Sequence, residues 1–576
     1  MSIRQEIADP MSDVISTTSK PVKARISRDD IVMRAAMVVI ALFLLVSIAF
    51  PLYALLEKSF QNAQGEFIGL TNYITYLTTP ALSWSIGNSF KVTLMASAIV
   101  MVIAFIYAYA LTRSCMPYKS IFKGVALVPI LMPSLLPAIS LVFFFGNQGI
   151  IKEWLFGAEL YGPIGIVMGE VFYVFPHVMT IMLISMSLSD ARLYEASEVL
   201  GASKIKTFFT VTLPSMRYGL VSAFFVAFTL IITDFGVPKV VGGQYNVLAT
   251  DVYKQVVGRH DFQMGAVVAM ALLVPAAFAF IADRIVQRKQ VALLSARAVP
   301  FQPKPNKKFD MFMLIYCSLI GFIILSVLAM AAYSSVVQFW PYNLSLTTKH
   351  YNFDLMDGGG WSSYFNSIEL AVWTAIFGTA IVFFGAYLVE KSRGFKTGRT
   401  AMQALCMVPM AVPGLVLGLA YVFFFNHPSN PLGFLYHTMP ILVICTITHF
   451  YTVSHLSAVT ALKQMDPEFE AVSQSLKAPF YKTFWRVTVP VCSPAILDIS
   501  MYLFVNAMTT VSAVVFLYSS DTTLASVAVL NMDDAGDQSP AAAMGMMIVC
   551  TAAGVRLLHM LLTRGIQSRT QAWRKR

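Results

Sequence analysis

Charge is what this chain has least of. Only 12% of its 576 residues are Asp, Glu, Lys or Arg, while 57% are hydrophobic; a soluble domain carries about a quarter charged residues. A surface that poor in charge is tolerated only where lipid covers most of it. This excludes a soluble enzyme, a nucleic-acid-binding protein or a disordered hub, and mean hydropathy is +0.68. Paired cysteines are also lacking. Cys115, Cys317, Cys406, Cys445, Cys492 and Cys550 form no CxxC spacing, so neither a disulfide framework nor a zinc site is expected. No run fits G-x-x-x-x-G-K-[ST] or HExxH, so nucleotide hydrolysis and metalloprotease chemistry have no motif here. The alternation of a barrel strand is absent as well. Residues 1–30 are polar and mixed in charge, and the first apolar run begins only near Ala35. It exceeds twenty residues, so it is expected to be a retained anchor rather than a cleaved leader.

What the chain has is long apolar runs. They fall at 35–56, 92–111, 124–145, 164–188, 220–237 and 264–285, then at 311–333, 368–389, 401–425, 439–462, 496–518 and 541–562. About twelve transmembrane helices follow, because backbone inside lipid must satisfy itself. The net charge of +11 would suggest anionic partners in a soluble protein. Here it tracks alternate loops. With the N-terminus inside, 34 of the 41 Lys and Arg fall in the segments assigned to the cytoplasm; Lys58, Lys91, Lys152, Lys239, Lys254, Arg259 and Lys349 are the rest. Lys and Arg gather on the cytoplasmic side of membrane proteins, so both termini are expected in the cytoplasm of a bacterial (inner) membrane protein.

The second half of the chain repeats the first. Val128-Pro129 matches Val408-Pro409 and Phe143-Phe144-Phe145 matches Phe423-Phe424-Phe425, both at an offset of 280. His177 matches His455 at 278, and Lys206-Thr207-Phe208 matches Lys482-Thr483-Phe484 at 276. Six spans per half is an even number, so the repeats are parallel and related by an axis along the membrane normal. The expected fold class is all-α integral membrane, as two parallel-repeat six-helix halves. A cytoplasmic tail covers 1–30, the first unit 31–287 and a basic, proline-bearing linker 288–309. The second unit covers 310–564 and a basic tail 565–576. Prolines at 129, 133, 137, 409 and 413 are expected to break the third and ninth spans.

Between the fourth and fifth spans of each half lies a cytoplasmic hairpin, at 190–214 and 466–490. LYEASEVLGASKIKTFFTVTLP ends at Pro214, and FEAVSQSLKAPFYKTFWRVTVP ends at Pro490. Each begins with an acidic turn signal, breaks near Gly201 or Pro479, and resumes as a short amphipathic stretch. Small Ala196 and Ser197 allow close approach of a partner, and Glu195 can accept from its donors. The stripe Ile205, Phe208, Phe209 and Val211 can pack on the spans or enter a partner's groove.

This pattern resembles the EAA loop of permeases in binding-protein-dependent ABC importers. Glu195, Ala196, Gly201, Leu213 and Pro214 match it. In the second copy Ala471 takes the Glu position with Glu470 before it, Lys477 replaces the Gly, and Val489 and Pro490 close the pattern. The resemblance implies two ATP-binding cassette subunits, one docked on each loop, and an extracytoplasmic substrate-binding protein. It also implies no cofactor in this chain, with ATP bound by the partner, and no catalytic residue. The fusion of two units is similar to ferric-iron permeases and to related phosphonate permeases. TDFGVPKVVGG, DFQMGAVVAM and NMDDAGDQSPAAAM look most like the 2-aminoethylphosphonate group, which makes that solute the expectation and ferric iron the alternative.

Charges inside lipid are costly and so are functional candidates. Glu170 and His177 lie two turns apart on the fourth span; His455 repeats His177, and His449 lies near the level of Glu170. These line a path or hold helices together. Asp234 can meet an ammonium group or a metal, cap a helix, or pair with Lys239; Asn506 lies inside the eleventh span. An ion-coupled secondary transporter, a different class, would use Glu170 and Asp234 as its coupling carboxylates. Asp533, Asp534 and Asp537 are expected in a solvated outer loop touching the binding protein, and no metal site is expected.

Overall fold

In a computed structural model the chain is described over residues 28–293, 299, 301–392 and 395–570. Most of the expected N-terminal tail, part of the linker and the end of the C-terminal tail lie outside these residues. Helix dominates throughout. The strands among the described residues are Val337–Phe339 and Asn343–Leu346, a small antiparallel pair after the seventh span.

Among the described residues seven helices are long and apolar enough to cross a bilayer, and five bent helix pairs bring the count to twelve if each pair is one span. The sharpest bends come where prolines were expected to act. Lys119–Leu131 meets Leu135–Phe145 at 101°, and Lys396–Ala411 meets Gly414–Phe425 at 108°. Pro133 and Pro413 have no N–H for a helical ladder, and each forces the preceding residue out of the helical region. Met132 and Val412 are accordingly extended, at ψ 136° and 116°. Pro176 and Pro275, by contrast, lie within continuous helices.

The repeat reappears as repeated bonds. Leu248 N–H donates to Ser89 Oγ and Ala525 N–H to Ser367 Oγ, both at 2.7 Å. Asn88 Nδ2 donates to the Asn246 carbonyl, and Asn366 Nδ2 to that of Thr523, both at 3.0 Å. The two halves also exchange their first helices. Arg28–Leu44 packs on Gly360–Lys391 of the second half, while Lys307–Ser334 packs on Leu135–Phe145 of the first. The six-helix units are therefore contiguous in sequence but interlocked in space.

Several boundaries differ from expectation; the second span, for one, starts at Pro80 rather than 92. The fifth span stops at Thr233 rather than 237, and a separate short helix, Gly236–Val241, follows. The eleventh stops at Thr509 rather than 518. The helix Phe262–Leu293 runs into the segment expected to be linker.

Candidate functional site

The two hairpins are built alike. In the first, Asp190 caps Ala191–Val199 by accepting from Arg192 N–H at 3.1 Å. Gly201 turns the chain at φ +67°, and Ala202 N–H closes on the Ser197 carbonyl at 3.0 Å, the left-handed ending common to helices. In the second, Lys477 makes the same turn at φ +52°, and Ala478 N–H closes on the Ser473 carbonyl at 3.0 Å. One hydroxyl pair clamps each hairpin: Ser197 with Thr207 at 2.7 Å, and Ser473 with Thr483. The second arms, Lys204–Ser215 and Phe480–Val491, enter the fifth and eleventh spans at 64° and 77°. Leu213-Pro214 and Val489-Pro490 lie just before those bends, each after one wide π turn.

Each hairpin is also tied to the end of a span. Arg113 closes the second span and donates to Tyr194 Oη at 3.1 Å, with its guanidinium 4.9 Å from the Tyr194 ring and 4.4 Å from that of Phe301. Lys391, 278 residues on, closes the eighth span and pairs with Glu470 at 2.5 Å. Glu470 thus holds the place of Tyr194, and no acid stands where Glu195 stands. Glu195 and Ala196 are exposed, as is Ala471. Around them the hairpins expose large apolar side chains, Val199, Leu200, Ile205 and Phe209 on one and Val472, Leu476 and Trp485 on the other. Phe208, grouped with Ile205 in the sequence stripe, instead packs edge-on against Phe105 and Tyr109. The pattern search missed the Arg113 and Lys391 ties; their common offset of 278 was the available signal.

Interlocking brings a strap to each hairpin. Val299 accepts from Ala191 N–H at 2.9 Å, and Lys304 pairs with Glu198 at 2.8 Å. Asp29, at the start of the first span, accepts from Phe480 N–H at 3.0 Å.

The polar groups within the spans do not form one cluster. Gly169 has no side chain to collide with Val237, so the segment after Thr233 lies close against the fourth span. That approach brings Asp234 within hydrogen-bonding reach of Glu170. Asp234 also accepts from Val237 N–H at 2.8 Å, in the first turn of the short helix that follows. Its proposed partner Lys239 is engaged elsewhere, with Asp534 of the second half at 2.9 Å and the Tyr253 ring at 5.0 Å. His177 has its ring 6.3 Å from that of Tyr173. His455 stacks on Tyr451 at 5.8 Å, and His449 ends the helix Met439–His449. Asn506 Nδ2 bonds the Tyr502 carbonyl at 2.7 Å in its own helix.

Of the three outer acids, Asp537 lies in a loop as expected and the other two do not. Asp533 and Asp534 end the helix Ala525–Asp534. Burial, with Asp534 alongside, pushes the Asp533 carboxyl up to about 7 against the pull of Lys239. Among the described residues no three His, Cys, Asp or Glu gather as a metal site.

A chain of interlocked six-helix halves with paired hairpins offering apolar faces has the build of a membrane transport permease. It belongs to the family described as binding-protein-dependent transport system inner membrane component, which matches residues 116–291 and again 381–568. It is therefore an ABC importer permease, a multi-pass membrane subunit and not an enzyme. The ferric transport system permease protein of Actinobacillus pleuropneumoniae is 27% identical over 92% of this chain and 78% of its own length. A putative ferric transport system permease protein of Haemophilus influenzae is 27% identical over 87% of this chain and 80% of its own. A solved bacterial alginate ABC transporter, in complex with its pentasaccharide-bound periplasmic protein, matches at 13% identity and a TM-score of 0.39. It covers 45% of this chain and 96% of the matched one.

Proposed function

We propose that this permease imports ferric iron. The single observation that carries the reading is the pair of ferric permease relatives, alike over about nine-tenths of the chain. The phosphonate expectation, drawn from TDFGVPKVVGG and its companions, finds no support in them, and the iron alternative takes its place. Family membership removes the reason for an ion-coupled carrier.

In this reading a loaded receptor docks outside over both halves, and two ATP-binding subunits grip the two hairpins inside, with both termini in the cytoplasm. Glu195, Ala196 and the apolar residues around them form one grip; Ala471, Val472 and Leu476 form the other. ATP closes the nucleotidase dimer, the hairpins carry that motion through the bends at Pro214 and Pro490, and the halves rock to receive the ion. Hydrolysis resets them. The apolar side chains exposed on the hairpins support docking, because on cytoplasmic loops they meet water rather than lipid, and such patches mark partner sites.

The test is uptake by the complete transporter, reconstituted with its receptor and ATPase in vesicles. Radioactive ferric iron is expected to accumulate only with ATP inside the compartment that holds the ATPase, and 2-aminoethylphosphonate should not compete. Phosphonate accumulation without iron accumulation would overturn the assignment.

A further inference from the structure

We propose that Glu170 and Asp234 form a transit site for a hard, multiply charged cation, present in the first half only. The proposal rests on the ferric reading for the identity of the ion, but the site stands on its own geometry. Glu170 is completely buried, and no N–H or O–H donor reaches either of its oxygens. Its neighbour at hydrogen-bonding reach is a second carboxyl, Asp234. Two adjacent carboxyls away from water either share a proton or, if both are ionised, need positive charge between them. No Lys, Arg or His supplies it, since none of the ion pairs in the described residues includes either acid.

The surroundings fit an ion that passes through. Asp234 keeps part of its surface exposed while Glu170 has none, so one acid fronts the site and the other backs it. Tyr173, on the turn after Glu170, has both carboxyls within its electrostatic reach, and Tyr502 of the opposite half as well. The segment that carries Asp234 continues to Lys239, which bridges to Asp534, so the acids lie beside the seam between halves. Carboxylate and tyrosine hydroxyl oxygens are hard donors and select hard cations. Two carboxylates are also too few for tight chelation, as conduction demands, because an ion must leave as readily as it enters.

The second half supplies a natural control. Its eleventh span ends at Thr509 as the fifth ends at Thr233, and Thr510 follows with the backbone of Asp234, at φ −70°, ψ 135° against −69°, 137°. Thr448 stands at the repeat position of Glu170 and accepts from Tyr421 Oη at 3.3 Å. The same architecture is built there without a charge, so the acids are not required by the fold.

The probe is Tb3+, a hard trivalent ion whose luminescence tyrosine sensitises, titrated into the full-length permease in neutral lipid nanodiscs. We expect one saturable component, displaced by Ga3+ and weakened at least tenfold in Glu170→Gln and in Asp234→Asn. The double variant Glu170→Thr/Asp234→Thr copies the second half and keeps the test valid should a single variant misfold; it should lose the component altogether. Asp537→Asn, in the outer acidic group, should change it less than twofold. A double variant that elutes as folded protein and keeps the wild-type component overturns the site. Iron uptake at the wild-type rate by that variant in the complete transporter overturns its role in transit. If the wild-type transporter moves no iron, the ferric reading fails instead, while the Tb3+ titration still decides whether the hard-cation site exists.

Discussion

Gly201 and Lys477 turn the two hairpins at corresponding places, both left-handed, yet one is the residue suited to that backbone and the other is not. The same holds around them. Ser197–Thr207 and Ser473–Thr483 are one clamp in two copies, and Arg113–Tyr194 and Lys391–Glu470 are one tie made by different chemistry. The skeleton has been kept while the offered surface has diverged. Only the first hairpin presents an exposed carboxylate at the Glu195 position; the second has Ala471 there, its Glu470 is turned inward and neutralised, and its exposed Asp466 and Glu468 lie nearer its start. The comparison teaches that the second hairpin keeps the fold of the first but has no acid at the place of Glu195.

The substitution with the largest expected effect separates surface from skeleton. Glu195→Lys reverses an exposed charge that forms no ion pair among the described residues, so it should leave insertion and folding intact. Against a docked partner the reversal is expected to cost about 2–5 kcal/mol, which removes ATP-driven uptake. Ala471→Lys, at the corresponding place, removes no acid and should lower uptake by at most about threefold, under 1 kcal/mol. Equal losses from both variants would break the asymmetry. ATPase co-purification on the tagged permease reads docking directly.

A second test addresses the ties. Lys391→Met leaves Glu470 unpaired in a half-buried place, which should cost about 1–2 kcal/mol, between the values for exposed and fully buried pairs. Glu470→Tyr with Lys391→Arg installs the first half's pair in the second and should restore most of the loss. Thermal unfolding in detergent measures both. A double variant no more stable than Lys391→Met alone would show that the two ties are not interchangeable.

Much of this architecture was legible in the sequence because it is written locally. Apolar runs of span length, prolines at matched offsets and two hairpin motifs each depend on residues close along the chain, and they recur. The bends at Pro133 and Pro413 follow from what proline does to its neighbour, although their near-right angles do not. What could not be read was long-range. Exchange of the first helices depends on how faces meet hundreds of residues apart, and Arg113 and Lys391 looked like ordinary basic loop residues. Glu170 was linked by helical spacing to His177, whereas a missing side chain at Gly169 brings it Asp234. The Asp234–Lys239 pair, one of the alternatives for Asp234, was the nearest in sequence, but Lys239 reaches the other half.

The smallest effect sharpens the comparison most, because it isolates one backbone angle. A side chain in the left-handed region costs about 1–2 kcal/mol relative to glycine, offset by about 0.5–1 kcal/mol of extra chain entropy that glycine loses on folding. Lys477→Gly should therefore stabilise the second hairpin by about 0.5–1 kcal/mol, and Gly201→Lys should destabilise the first by a similar amount. Neither position touches the clamps, so uptake should survive in both. The reasoning predicts opposite signs for reciprocal changes, seen as opposite shifts in hydrogen exchange at Ala202 and Ala478, whose N–H groups close the two turns. Shifts of the same sign would mean that the lysine at 477 is held by something other than the turn it occupies, and that the two hairpins are not one skeleton.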